Sequence, residues 1–235
     1  MNYQDYSGRD NLDAMKEAIN YNEYLSKLTL SLIEPADVVV DFGAGSGTFA
    51  KPLATAGFNI ICVETDPTLY GQLQAQDIPV VNNLELLTDG SIDYLYSLNV
   101  LEHIQDDDLV LQMWFRKLRP GGRLLVFVPA FQWLYTSMDR KVGHMRRYSR
   151  KSLQNPIEAA GFRVQEIIYA DSIGVLATLV YKLSDNGSGA VNIDLLKVYD
   201  RWVFPISRFF DLFFHQLFGK NLVLTATKPI APTNS

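Results

Sequence analysis

Val38-Val39-Val40-Asp41-Phe42-Gly43-Ala44-Gly45-Ser46-Gly47-Thr48-Phe49-Ala50 reads as a buried strand, a glycine-rich turn and the start of a helix. No other stretch of the 235 residues limits the possible folds as much. Glycines at alternate positions let the backbone bend sharply and approach a ligand with no Cβ in the way. The helix that follows aims its unpaired N–H groups at that ligand. A second acid, Glu64, ends the next apolar run, Phe58-Asn59-Ile60-Ile61-Cys62-Val63. A carboxylate there is placed to accept hydrogen bonds from a ribose diol. Together these features point to a nucleoside-containing cofactor.

Two cofactor classes compete. A dinucleotide site wants Gly-x-Gly-x-x-Gly, whose third glycine packs the helix on the strand. This chain has Gly43, Gly45 and Gly47, with Thr48 where that pattern needs its last glycine. Asp41 before the first glycine would repel a pyrophosphate, yet it can orient the loop or pair with an amino group. That suits S-adenosyl-L-methionine, which carries an ammonium and a sulfonium and no phosphate. The segment resembles the first motif of the class I S-adenosylmethionine-dependent methyltransferases, and Glu64 matches their ribose-binding acid. The resemblance covers about residues 15–171 and the last strand. It implies an α/β fold, a Rossmann-like doubly wound seven-stranded sheet with the last strand antiparallel. It also implies that Asp41, Gly43, Ala44, Gly45, Glu64 and Thr65 surround the cofactor, with Asn99 beside its methionine part. Asn82 and Asn83 follow strand three, where the family reads adenine; two adjacent asparagines can also simply form a turn.

Composition narrows the class further. A chain 48% hydrophobic and 20% charged is folded rather than disordered. A net charge of -5 argues against duplex nucleic acid as the partner. The single cysteine, Cys62, lies in an apolar strand, so neither a disulfide framework nor a cysteine-built zinc cluster is expected, and no metal site is read elsewhere. The polar start, Met1-Asn2-Tyr3-Gln4-Asp5, has no signal-peptide core, and no apolar run reaches the ~18 residues of a membrane span. The expectation is one cytoplasmic domain over residues 1–235, without stable membrane insertion.

Alternating patterns predict a helix over 11–33, strands at 37–42, 58–64, 78–81, 92–98 and 123–128, and helices at 47–56, 67–75, 107–118 and 151–160. Two more strands are expected at 162–170 and 221–228. Residues 172–220 between them are too long for a hairpin loop. Val203, Ile206, Phe209, Phe210, Phe213, Phe214 and Leu217 share one face of a helix there, with Ser207, Arg208, Asp211 and His215 largely on the other. The expectation is a helical lid whose aromatic face packs on the domain and lends apolar side chains to a largely apolar acceptor. A packed core helix and a membrane-surface contact are the alternatives.

Ser97-Leu98-Asn99-Val100-Leu101-Glu102-His103-Ile104 ends strand four, where open parallel sheets place ligands. It resembles the family's fourth motif. It lacks the Asn/Asp-Pro-Pro-aromatic sequence used on base and glutamine amino groups, and the cysteine is not placed for cytosine chemistry. Both absences point to a small-molecule acceptor. His103 can touch that acceptor or simply bond the backbone. The run Tyr135-Thr136-Ser137-Met138-Asp139-Arg140-Lys141-Val142-Gly143-His144-Met145-Arg146-Arg147-Tyr148-Ser149 resembles a Met-Asp…Gly-His-x-Arg-Arg-Tyr signature of a bacterial branch of these enzymes. His144 can take the acceptor's proton, oriented by Asp139. Arg146 and Arg147 can hold a carboxylate or phosphate. The alternative is a structural loop with both arginines paired to acids. Outside methyl transfer, the competing functions are a nicotinamide-dependent oxidoreductase and a catalytically silent cofactor-binding scaffold.

Overall fold

The computed structural model describes residues 13–184 and 187–230. Its centre is a seven-stranded sheet in the order β3-β2-β1-β4-β5-β7-β6. The strands are β1 (Val38–Phe42), β2 (Asn59–Val63), β3 (Val80–Val81), β4 (Ile92–Leu98), β5 (Leu118–Pro129), β6 (Arg163–Ala170) and β7 (Asn221–Thr227). β1 pairs parallel with β2 and β4, and β4 with β5, whereas β7 runs antiparallel to both β5 and β6. Consecutive apolar residues rather than alternating ones fill β5, because both faces of the sheet are covered. Leu124, Leu125, Val126, Phe127 and Val128 are all fully buried.

Three helices cover one face: α1 (Ile19–Leu30), α2 (Ala50–Thr55) and α3 (Pro67–Gln74). Leu25, Leu53 and Leu73 pack there against Val39, Ile60 and Tyr96. On the other face α4 (Asp107–Lys117) and α6 (Arg150–Ala159) bring Leu111, Trp114, Leu153 and Ile157 against Val40, Leu95 and Val126. A five-residue helix, α5 (Ser137–Lys141), lies between β5 and α6; the sequence pattern gave no sign of it. The expected helix 11–33 is interrupted: residues 13–15 are helical, a turn follows, and α1 ends at Leu30, while residues 11–12 lie outside the described residues. Strand five begins earlier than expected. Leu118 pairs with Ile92, and the Arg119-Pro120-Gly121-Gly122 turn is tied to Lys228 through Gly121 N–H at 2.8 Å.

Residues 172–220 form a helical layer between β6 and β7. It consists of α7 (Ser172–Ser184), α8 (Ile193–Val198), a π-helical turn (Tyr199–Val203) and α9 (Phe204–Phe214). Here the structure corrects the sequence reading. α9 packs through its polar stripe: Ser207 is 0% and Asp211 3% exposed, while Phe213 is 65% and Leu217 67% exposed. The inversion has a local cause. The first N–H groups of α7 lack intrahelical acceptors. Asp211 accepts from the N–H of Asp171 (2.9 Å) and of Ser172 (2.8 Å), and Ser207 Oγ from that of Ile173 (2.9 Å). A second acid of the layer does the same for α1, whose N-terminus has no side-chain cap of its own. Asp200 accepts from the N–H of Asn20 and of Tyr21, both at 2.9 Å. The polar stripe of the layer therefore caps other helices, and Phe209, Phe210 and Phe213 face outward, whereas Phe204 is buried against Tyr21 and Tyr24. No lid of the expected kind is formed by that aromatic face. No described helix is long and apolar enough to cross a membrane.

Candidate active site

The carboxyl ends of β1, β2 and β4 meet at the glycine turn. Gly43 has φ +81°, and a Cβ there would lie 2.4 Å from Val100 Cγ2. The first glycine thus locks the turn onto the residue after Asn99. Gly47, φ +82°, packs on Leu73, which a Cβ would meet at 2.8 Å. The Gly43 and Ala44 N–H groups both donate to the Val63 carbonyl, at 2.9 and 3.2 Å. Glu64 ties the rest together: Oε2 accepts from Gly45 N–H and Oε1 from Asp66 N–H, each at 2.8 Å. Burial pushes its carboxyl up, and those two backbone bonds oppose the shift. Thr65 is exposed beside it.

Asp41 is buried, and its Oδ2 has no hydrogen-bond partner among the described residues. Desolvation pushes its carboxyl up to about 7, opposed by the neighbouring Tyr96 hydroxyl and helped by the Glu64 charge. Asn99 sits directly after β4 with φ +55°, a conformation asparagine tolerates better than most residues. Its side chain donates to the Tyr21 hydroxyl at 3.3 Å. Asn82 and Asn83 both reach solvent, but Asn83 accepts from Glu85 N–H at 3.0 Å. That bond caps a short 3₁₀ turn and accounts for Asn83 structurally.

A second group assembles where the segment after β4 meets the loop around α5. His144 Nδ1 lies 2.7 Å from Asp139 Oδ1. Arg147 clamps the same carboxylate with Nε (2.8 Å) and Nη2 (2.9 Å), and Thr136 N–H adds a bond at 2.7 Å. Burial would raise the Asp139 carboxyl, but the bonds from His144 and Arg147 outweigh it and hold it well below the usual range. An ionised Asp139 keeps the proton of neutral His144 on Nδ1 and leaves Nε2 as a lone pair. That Nε2 lies 3.6 Å from Glu102 Oε1. Glu102 is fully buried, no other described residue donates a hydrogen bond to either carboxyl oxygen, and desolvation pushes it up to about 8. The His103 ring stands edge-on to that of His144, centroids 4.6 Å apart. Burial, then the neighbouring His144, lowers His103 to about 4, so it is neutral at pH 7.

The arginines are not available as expected. The Arg147 guanidinium is buried on Asp139, and Arg146 pairs with Asp107 at 2.9 Å while donating to the Gln105 carbonyl at 2.7 Å. Both hold the loop in shape rather than offering a free site for a carboxylate or phosphate.

The family model described as a methyltransferase domain matches residues 15–167, more than half of the chain. The chain belongs to this methyltransferase family. A similar curated protein is a probable S-adenosylmethionine-dependent methyltransferase of Mycolicibacterium smegmatis, 29% identical over 163 residues. That match covers 66% of this chain but only 58% of the relative. Among solved structures, a SAM-dependent methyltransferase from Thermotoga maritima superposes with a TM-score of 0.57 at 20% identity, covering 89% of this chain and 91% of that one. Phosphoethanolamine N-methyltransferase 2 of Haemonchus contortus, with S-adenosylhomocysteine bound, gives 0.61 at 15% identity, covering 97% and 60%. At those identities the structures establish the shared fold.

S-Adenosylmethionine is the cofactor of this methyltransferase class, and the residues present fit it. The unpartnered Asp41 oxygen lies behind a turn that admits no Cβ at Gly43, and Glu64 retains lone pairs beyond its two amide bonds. Of the sequence-derived residues, Asp41, Gly43, Ala44, Gly45, Glu64 and Asn99 converge at the strand ends. Asp139 and His144 form a hydrogen-bonded pair, and His103 joins them. The residue missed is Glu102. Its only sequence signal is its place beside His103 at the end of strand four.

Proposed function

We propose that this methyltransferase moves a methyl group from S-adenosylmethionine to a small-molecule acceptor that is largely apolar around its reacting atom. The observation that carries the reading is the junction at residues 99–103. Val100 packs on the cofactor turn, while Glu102 and His103, two and three residues on, meet the His144–Asp139 pair. Cofactor and acceptor groups therefore share one short segment. Aromatic rings at the ends of β5 and β6 support an apolar acceptor: Phe131 stacks on Tyr169 at 5.1 Å and leans on Trp133 at 5.4 Å.

When bound, the cofactor supplies an electrophilic methyl on a sulfonium. Residues of this chain position it and desolvate the acceptor, which is most of what in-line displacement requires. Deprotonation of the acceptor depends on the His144 Nε2 lone pair, held in place by Asp139 and Arg147. His144→Ala should slow turnover by ~10²-fold or more while cofactor affinity stays unchanged. The assay is methyl transfer from labelled cofactor into small-molecule fractions, with calorimetry of S-adenosylhomocysteine alongside. Normal turnover in the folded variant would remove His144 from the chemistry. Tight nicotinamide dinucleotide binding without a response to S-adenosylhomocysteine would refute the whole reading.

A further inference from the structure

We infer that Glu102, His103 and His144 form a divalent metal-ion site, of the kind that takes a first-row transition cation such as Zn2+, on the acceptor side of the reaction centre. The inference rests on the function proposed above for its chemical consequence, though not for the binding itself.

One donor atom from each of the three side chains lies within 4.8 Å of the others. Zinc ligands stand about 2.0–2.2 Å from the metal, hence roughly 3–4 Å from one another. His144 Nε2 and Glu102 Oε1 are already 3.6 Å apart. A rotation of the His103 side chain would bring the third donor, already within 4.8 Å, to that spacing. A fully buried carboxyl group that accepts no hydrogen bond from any other described residue is costly, and a cation would give it a partner.

The surroundings match those of a metal-binding histidine. Such a ring usually gives its other N–H to a carboxylate or a backbone carbonyl, which fixes the tautomer and the ring plane. His144 gives Nδ1–H to Asp139 at 2.7 Å, and Arg147 and Thr136 pin Asp139 in turn. The His103 ring is held by a hydrogen bond to the Gly143 backbone. Two imidazoles and one carboxylate suit zinc, manganese, iron or cobalt rather than magnesium or calcium, which prefer oxygen alone.

Three protein donors leave at least one coordination position open, as in catalytic rather than structural sites. An acceptor hydroxyl bound there would release its proton to solvent more readily. Its oxygen would then attack the sulfonium methyl. The O–C bond forms, the C–S bond breaks, and the electron pair stays on a neutral thioether. The His144 lone pair would act through the cation, and the acceptor atom would be oxygen.

The test uses the purified 235-residue chain, stripped with a chelator and titrated with Co2+. Visible absorption reads the coordination, Zn2+ dialysis the stoichiometry, and thermal melting the integrity of each variant. One cation per chain is expected. Glu102→Gln and His103→Gln should each weaken it by ~10²-fold or more, and Asp139→Asn by ~10–100-fold. His215→Gln, which alters the third histidine of the chain, should bind as wild type. Stoichiometric binding lost in the folded Glu102 and His103 variants supports the site. If Glu102→Gln does not fold, the His103→Gln spectrum decides. Absence of stoichiometric binding, or binding unchanged in His103→Gln, would overturn it. S-Adenosylhomocysteine calorimetry on the same samples separates the two claims: retained cofactor binding without a cation removes only the metal site. Cation binding without any cofactor response removes only the function.

Discussion

Asp211→Ala tests which way α9 faces. The Asp211 carboxylate is 3% exposed. It accepts two backbone N–H groups at the start of α7 and pairs with Arg208 at 2.6 Å. Each hydrogen bond to a charged group contributes ~1.5–3 kcal/mol, and truncating one partner of a buried pair costs about 3–5 kcal/mol. Arg208 is about one-third exposed and can rehydrate, which places the expected loss near the lower end, ~3 kcal/mol. Phe213→Ser on the opposite face should change stability by less than ~0.5 kcal/mol, since that ring is 65% exposed. Urea unfolding of the two variants gives both numbers, provided the slope with denaturant is unchanged. The reverse ranking, with Phe213→Ser the costly change and Asp211→Ala nearly neutral, would show that the aromatic face is the packed one.

Two further outcomes follow from the cofactor half. Glu64→Ala should weaken S-adenosylhomocysteine binding by ~1–3 kcal/mol in calorimetry, because it removes charged acceptors from both the ligand and Gly45 N–H; an unchanged affinity would take Glu64 out of the site. Asp41, raised by burial from 3.8 to about 7, holds a proton in the folded state that the unfolded chain has already lost. Its contribution to stability should therefore fall as pH rises from ~4 to ~7 and level off above that. Asp41→Asn should abolish this decline in melting experiments without cofactor, and parallel profiles for variant and wild type would refute the assignment.

The sheet was legible because its strands are apolar runs bounded by Gly and Pro; Ile92–Leu98 is found at its expected bounds. The cofactor turn was legible because it is contiguous and its glycines have one physical use. The acceptor side was only half legible. Asp139 and His144 are five residues apart on one loop, so their pairing was within reach of local reasoning. That Arg147 serves Asp139 rather than a ligand depends on burial, which a polar loop does not advertise. Glu102 was missed for the same reason: an exposed carboxylate and a fully buried one look identical in sequence. α9 marks the clearest limit. Periodicity separates two faces but does not say which one turns inward. The deciding demand, unpaired amides at the start of α7, arises more than thirty residues away from Ser207 and Asp211.

The position of β7 has a consequence for how the chain reaches its native state. Phe127 of β5 pairs with Val223, across everything that lies between them in sequence. Such a closure is slow, because the entropy of a long loop is lost before its contacts reward it. As the ribosome extends the chain, β1 to β5 can assemble first, leaving β5 with one open edge of fully apolar residues. An open edge of that kind invites pairing with other chains. β6 does not relieve it, since its partner in the sheet is β7 and not β5. β7, the latest of the seven strands in chain order, thus protects the apolar stretch of β5, and until it arrives the nascent domain depends on whatever shields that edge.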